Sequence, residues 1–129
     1  MKLLEGKVAI VTGAARGIGE GIVLKFAEHG AHVVFTYVSD SSADKAKALE
    51  ERIKTQGTRC KGYKANAGDY PQCEALVNDV VKEFGTVDIC VNNAGISKDN
   101  LLLRMTAEQW DEVIAKAVNG RAINVPTQR

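Results

Sequence analysis

A glycine-rich segment at residues 12–19 has the composition of a phosphate-binding loop. It reads Thr-Gly-Ala-Ala-Arg-Gly-Ile-Gly, so its glycines are Gly13, Gly17 and Gly19. Because glycine has no Cβ atom, backbone N–H groups can approach a pyrophosphate, and the positive end of a following helix favours the same charge. The spacing G-x-x-x-G-x-G differs from the commoner fingerprint G-x-G-x-x-G. A strand before the loop and a helix after it favour nucleotide binding over a plain tight turn.

The end of the second predicted strand indicates which dinucleotide would bind. NAD-binding sheets usually place Asp or Glu there, about 20 residues past the loop, to hold the ribose 2′-hydroxyl. Here residues 36–39 read Thr-Tyr-Val-Ser, and the first carboxylate is Asp40. A neutral strand end with Ser39 and Arg16 can accept a 2′-phosphate, which a carboxylate would repel. The sequence therefore favours NADP over NAD, and Asp40 is interpreted as a turn residue.

The tetrapeptide Asn-Asn-Ala-Gly at residues 92–95 ends the fourth predicted strand. Ligands of doubly wound folds bind at the carboxyl edge of the sheet. Asn side chains there can bridge neighbouring strand ends, and Ala94 and Gly95 leave room for a ribose or a nicotinamide ring. An ordinary Asn/Gly turn explains the same residues, so the tetrapeptide alone leaves both interpretations open.

Strand and helix patterns alternate along the whole chain, which predicts the α/β class. Apolar runs predict strands at 8–12, 32–37 and 87–93, and a weaker, more polar run predicts one at 59–65. Helical spacing predicts helices at 17–29, from Ser41 or Ser42 to 57, at 69–85 and from Thr106. The polar third strand is expected at an edge. Right-handed crossovers then give a parallel sheet in the order 3-2-1-4, a partial doubly wound (Rossmann-type) three-layer sandwich.

Local signals within the helices predict their caps and buried faces. Ser41 or Ser42 is expected to cap the second helix and Asp69 the third, and Thr106 with Gln109 matches a capping box. Glu50 and Lys54 are expected to pair on the solvent side of the second helix. The buried face of the first helix is predicted to be Ile18, Ile22, Phe26 and Ala27, and that of the third to be Cys73, Leu76, Val77, Val80, Val81 and Phe84.

Composition excludes several other classes of protein. A formal net charge of +1 over 129 residues gives no footprint for nucleic acid or an anionic membrane surface. No apolar run approaches the roughly 20 residues that span a bilayer. The three cysteines show no C-x-x-C spacing, so neither a disulfide framework nor a zinc site is indicated and a reducing cytoplasm fits best. Cys90 is expected to be a core residue. Neither histidine is assigned to a metal.

The loop and the tetrapeptide resemble the marks of the short-chain dehydrogenase/reductase family, T-G-x-x-x-G-I-G and N-N-A-G. The segments at residues 4–19 and 92–114 are most similar to bacterial 3-oxoacyl-[acyl-carrier-protein] reductases of fatty acid synthesis. The resemblance implies an NADPH-dependent reductase whose substrate is a 3-oxoacyl group on acyl carrier protein.

The resemblance also implies which residues would contact NADP. The phosphate and ribose loop would comprise Gly13, Ala15, Arg16, Gly17, Ile18 and Gly19. The 2′-phosphate pocket would be lined by Val38 and Ser39, the adenine flanked by Asn66 and Ala67, and the ribose nearer the nicotinamide contacted by Asn93, Ala94 and Gly95.

The match to the family fails after residue 114. Family members continue with two residues and then Asn-Leu, where this chain has Ala117-Val118 and Asn119 comes two places late. Gly120 weakens a helix and Pro126 ends one. We therefore divide the chain into an NADP-binding half domain, residues 1–114, and a divergent tail, residues 115–129. The fourth strand is expected to leave an exposed apolar edge, making the chain prone to association through that edge or the last helix.

The family's catalytic residues are a Ser and a Tyr-x-x-x-Lys unit, in which the Tyr is the general acid. The residues four places after Tyr37, Tyr63 and Tyr70 are Ser, Ala and Glu, so none forms this unit. We assign no catalytic residue and expect a chain truncated before the catalytic residues and inactive alone. Two alternatives stay open: a non-catalytic module that binds NADP or associates with other subunits, and a short-chain reductase of another carbonyl substrate.

Overall fold

The computed structural model of this chain describes residues 2–14, 17–66, 68–93, 107–117 and 122–124. Five parallel strands form one sheet in the order β3-β2-β1-β4-β5. The strands are β1 Val8–Val11, β2 His32–Tyr37, β3 Cys60–Lys64, β4 Ile89–Asn92 and β5 Ala122–Asn124. The helices are α1 Gly17–Glu28, α2 Ala43–Lys54, α3 Tyr70–Phe84 and α4 Ala107–Ala117. The predicted order 3-2-1-4 and the edge position of β3 are confirmed.

Helices cover both faces of the sheet, which makes three layers. Successive strand side chains point to opposite faces. Ile10 and Val34 therefore pack with α3 and α4 on one side, whereas Val33 and Phe35 pack with α1 and α2 on the other. Burial on both faces explains why β1 is uniformly apolar.

The ends of α3 agree with the sequence prediction. The Asp69 side chain accepts a hydrogen bond from the backbone N of Gln72 at 3.1 Å. Gly85 follows the helix with a φ of 91°, a left-handed conformation that glycine adopts without strain. The buried face is also as predicted, with Cys73, Leu76, Val77 and Val80 fully buried and Val81 and Phe84 packed beside them.

Helix α1 is rotated relative to the prediction. Its buried residues are Gly19, Val23 and Ala27, spaced four apart, while Ile22 and Phe26 are half-buried. Ile18, placed on the buried face by the sequence, is 52% exposed. Successive residues of a helix point about 100° apart. Because Gly19 faces the glycine loop and the sheet, Ile18 points to the side of the helix, toward solvent.

The expected exposed edge of β4 is wrong. Residues 122–124 pair with β4 in parallel, with Cys90 opposite Ala122 and Asn92 opposite Asn124. Helix α4 ends at Ala117, and residues 122–124 form strand β5 of the sheet, where the sequence predicts a weakened continuation of the helix. Strand β4 is therefore interior, which removes it as a surface for association.

Two local predictions for α2 are also corrected. The carboxylate of Glu50 accepts a hydrogen bond from the backbone N of Gly62 at 2.5 Å, so it reaches β3 instead of Lys54. The Lys54 ammonium lies 3.9 Å from Glu51. Ser42 precedes the helix without a side-chain capping hydrogen bond. In the part of the chain that is described, no helix is long and apolar enough to cross a bilayer.

Candidate dinucleotide-binding site

Hydrogen bonds join the carboxyl ends of β1 and β4. The buried Thr12 hydroxyl donates to Asn92 Oδ1 at 3.4 Å and accepts from the backbone N of Asn93 at 2.8 Å. Asn93 Nδ2 donates to the carbonyl oxygen of Gly13 at 3.2 Å. The two Asn residues thus bridge neighbouring strand ends, as their position predicts, and hold the start of the glycine loop.

Strand β2 fixes the same loop from its other side. The backbone N of Gly13 donates to Thr36 Oγ1 at 3.0 Å, and the backbone N of Ala14 donates to the Thr36 carbonyl at 2.9 Å. Gly13 has a φ of 63°, which a residue with a side chain rarely adopts. Three strand ends therefore position the first residues of the loop.

The amino-terminal turn of α1 packs directly on this network. A Cβ atom on Gly19 would lie 2.6 Å from the carbonyl oxygen of Gly13 and 2.7 Å from the Cα of Ala14. Real Cβ atoms do not approach backbone this closely. The helix can start here because residue 19 is glycine, and its positive end then faces the carboxyl edge of the sheet, where an anion is favoured.

The predicted 2′-phosphate residues lie at the end of β2. Val38 is 39% exposed and Ser39 is exposed. Ser39 Oγ lies 2.6 Å from Ser41 Oγ, and its carbonyl accepts from the backbone N of Ser42 at 3.0 Å. Asp40 begins a short 3-10 turn, which confirms it as a turn residue.

Lys64, which no sequence pattern singles out, also lies at this strand end. Lys64 is the last residue of β3 and stands opposite Tyr37 in the sheet. Its Nζ is 2.7 Å from Asp40 Oδ1. The hydrogen bond to Asp40 raises the pKa of the Lys64 ammonium above its usual range. Parallel pairing of β2 with β3 was the available signal, but the register that aligns these two residues is not visible in sequence.

Asn66, predicted to flank the adenine, lies just beyond β3. Its backbone N donates to Gln72 Oε1 at 2.9 Å, and its Oδ1 accepts from the backbone N of Gly68 at 2.8 Å. The side-chain oxygen therefore stabilises its own turn and leaves the residue exposed. Five predicted contact residues lie outside the described part of the chain: Ala15, Arg16, Ala67, Ala94 and Gly95.

Parallel pairing brings the predicted contact residues that the structure describes to one edge of the sheet. Gly13, Gly19 and Asn93 are in direct contact with one another. Val38 and Ser39 follow β2, the next strand. The exposed Ile18 adds an apolar side chain to the first turn of α1. The arrangement offers backbone amides and a helix end to phosphates, with apolar and hydroxyl groups beside them.

Histidines and cysteines elsewhere have structural roles. His29 Nδ1 accepts from the backbone N of Leu3 at 3.4 Å, and His32 Nδ1 from that of Arg59 at 3.1 Å. Burial raises the pKa of the Cys60 thiol to about 12, with a further contribution from Glu50. Among the described residues, no group of three His, Cys, Asp or Glu side chains could hold a metal ion.

A doubly wound sheet with a glycine loop at its carboxyl edge defines a dinucleotide-binding class of protein. The sequence profile of the short chain dehydrogenase family matches residues 7–126. The chain belongs to this family. The match reaches past residue 114 and includes β5.

Curated relatives resemble the chain over part of their own length. The 3-oxoacyl-[acyl-carrier-protein] reductase FabG of Staphylococcus aureus (strain Mu50) is 45% identical over 114 residues, which are 88% of this chain and 46% of the relative. The NADP-dependent mannitol dehydrogenase of Alternaria alternata is 44% identical over 121 residues, 91% of this chain and 44% of the relative. The chain thus spans about half the length of these relatives.

A solved structure shares the fold. The blue fluorescent protein from a metagenomic library, in complex with NADPH, superposes with a TM-score of 0.77 at 36% identity, covering 94% of this chain and 56% of the other.

Proposed function

We propose that these residues form the NADP-binding half of an NADPH-dependent short-chain reductase. The observation that carries the proposal is the contact among Gly13, Gly19 and Asn93, which brings the loop, the start of α1 and the end of β4 together. Such an arrangement presents amides and a helix end to a pyrophosphate. The family's oxidoreductase class supports the same assignment.

The preference for NADP over NAD rests on the end of β2. Val38 and Ser39 carry no charge, so nothing at these positions would accept the ribose 2′-hydroxyl as a carboxylate does. The NADPH complex of a structural neighbour supports this choice. Bound NADPH would supply the hydride, and this chain's residues would bind and orient it: Gly13, Ala15, Arg16, Gly17, Ile18 and Gly19 at the phosphates, Val38 and Ser39 at the 2′-phosphate, Asn66 and Ala67 at the adenine, and Asn93, Ala94 and Gly95 at the nicotinamide ribose.

The substrate class we favour is a 3-oxoacyl group on acyl carrier protein, reduced during fatty acid synthesis in the cytoplasm. Similarity to the Staphylococcus aureus reductase over 88% of this chain supports it. Similarity to the Alternaria alternata dehydrogenase supports a second candidate, a reductase acting on another carbonyl compound.

A polypeptide of these 129 residues should bind the cofactor without reducing a ketone. No tyrosine in it is followed four places later by lysine, and the Tyr70 hydroxyl lies 2.6 Å from the Glu112 carboxylate. Hydride delivery without a general acid leaves an alkoxide that nothing protonates.

The test is an NADPH titration of the purified chain, followed by addition of an acetoacetyl thioester. We expect saturable binding and no loss of nicotinamide absorbance. Absence of binding to a chain that melts cooperatively would refute the cofactor assignment, and turnover would refute the assignment of a binding half. If the chain binds NADPH but reduces no ketone, the result supports the alternative that these residues, on their own, act as a non-catalytic NADP-binding module.

A further inference from the structure

We propose that Lys64 determines the choice of NADP over NAD, by neutralising Asp40 and offering its ammonium to the 2′-phosphate. The inference rests on the proposed function and assigns a residue on β3 to a pocket that the sequence locates at the end of β2. The residue is a specificity determinant and takes no part in the chemistry.

The geometry places Lys64 beside that pocket. It ends β3 opposite Tyr37, the last residue of β2. The backbone N of Ala65 donates to the Tyr37 carbonyl at 2.9 Å, so the two strand ends stay aligned to the last residue. The Lys64 ammonium then reaches Asp40, next to Ser39, at 2.7 Å.

The charges explain why a lysine is needed there. A 2′-phosphate carries close to two negative charges, and an unpaired carboxylate one residue beyond Ser39 would repel it. Paired with Lys64, Asp40 contributes almost no net field. The side chains of Asp40 and Lys64 are 89% and 52% exposed, so the ammonium is free to exchange the carboxylate for a phosphate oxygen. A lysine is well suited to such an exchange because it bears a compact charge on a flexible stem.

The chain offers a matched control on the same strand. Lys61 is three residues earlier on β3, and its Nζ lies 3.0 Å from Glu83 on α3. Its side chain is 46% exposed, close to that of Lys64. Three residues of strand separate the two positions by about 10 Å. Lys61→Met therefore removes an equally exposed ion-paired lysine without changing the end of β2.

The experiment compares the dissociation constants of NADPH and NADH. The two dinucleotides differ only in the 2′-phosphate, which NADH lacks. We expect Lys64→Met to weaken NADPH binding by roughly three- to tenfold, allowing for solvent screening of an exposed charge, and to leave NADH binding unchanged. Lys64→Arg should retain most of the preference. Asp40→Asn should strengthen NADPH binding, since it frees the lysine. Added to Lys64→Met, the same substitution should restore part of the lost NADPH affinity, because it removes the unpaired carboxylate.

The outcomes distinguish failure of the Lys64 inference from failure of the proposed NADP-binding function. A wild-type chain that prefers NADPH while Lys64→Met keeps the same ratio of dissociation constants overturns the role of Lys64 alone. A wild-type chain that binds neither dinucleotide overturns the proposed function, and with it this inference. An equal loss in Lys61→Met would show that any lost surface charge suffices, and would also overturn it.

Discussion

A Cβ atom on Gly19 would lie 2.6 Å from Asn93 Nδ2. The first turn of α1 and the residue after β4 are therefore packed more closely than any side chain at position 19 permits. The other groups that a Cβ would meet there are backbone atoms of the loop, which cannot move aside without moving β1. The helix end and the nicotinamide end of the proposed site thus depend on one small residue.

Gly19→Ala should accordingly abolish NADPH binding and lower the free energy of unfolding by about 1–3 kcal/mol, the usual cost of overpacking. Gly21, also in α1, has open space where its Cβ would be. Gly21→Ala should keep cofactor binding and gain about 0.5–1 kcal/mol from helix propensity. Urea unfolding and NADPH titration of both variants provide the measurement. Equal behaviour of the two would contradict the packing argument.

Two buried threonines make a second matched pair. The Thr12 hydroxyl bonds to both Asn92 and Asn93, so Thr12→Val should lower stability by about 1–3 kcal/mol and weaken NADPH binding. The Thr58 hydroxyl is buried and has no hydrogen-bond partner within the described residues. Thr58→Val should be neutral or slightly stabilising, because it removes a desolvated polar group without breaking a bond. Chemical denaturation measures the free energy of unfolding of both variants. A larger loss in Thr58→Val than in Thr12→Val would contradict the role given to the Thr12 hydrogen bonds.

Glu50 protects the outer edge of the sheet. Its carboxylate accepts a hydrogen bond from the backbone N of Gly62 on edge strand β3. Glu50→Ala should lower stability by about 1–2 kcal/mol and, since an edge amide is uncovered, promote association that increases with protein concentration. Glu51→Ala is the control, because the described part of the chain gives this neighbour an exposed ion pair with Lys54, so its loss should change stability by less than about 0.5 kcal/mol. Analytical ultracentrifugation would reveal the difference, and monomeric behaviour of both variants would contradict it.

The half-buried thiol of Cys60 and the buried thiol of Cys73 predict how stability depends on pH. Burial raises the pKa of Cys60 from 9.0 to about 12. Burial, with a smaller effect of Asp69, does the same for Cys73. The unfolded chain ionises near pH 9 while the folded chain keeps its protons to about pH 12, so stability contributed by the thiols is complete below pH 9 and is lost as pH rises through this window.

Urea midpoints measured on both sides of pH 9 test this dependence. A Cys60→Ala/Cys73→Ala variant should lose less stability with rising pH than the wild type, since lysine titration is common to both. Parallel pH profiles would show that the thiols ionise equally in the folded and unfolded chains.

Local signals explain which elements the sequence predicts well. Strand β1 is apolar at every residue, and α3 carries its own caps in Asp69 and Gly85, so neither depends on distant parts of the chain. Tertiary contacts decide the features that were mispredicted. The exposure of Ile18 follows from how α1 rotates to fit Gly19 against the loop. The residues of β5 have no strand-like periodicity over so short a length, and pairing with β4 alone defines them.

The site divides in the same way. The glycine loop and the paired Asn residues are recognisable because the proposed dinucleotide binding requires particular residue types at fixed spacing. Lys64, which we propose as a specificity determinant, is not recognisable in the sequence, because its position depends on the register between β2 and β3 that aligns it with Tyr37. Nothing within the local sequence around residue 64 links it to Asp40.

Calorimetric titration of the purified chain with NADPH and, separately, with NADH tests the central claim most directly. The account predicts saturable binding of NADPH, weaker binding of NADH, and loss of both in Gly19→Ala but not in Gly21→Ala. Tighter binding of NADH, or undiminished NADPH binding by a folded Gly19→Ala variant, would contradict it.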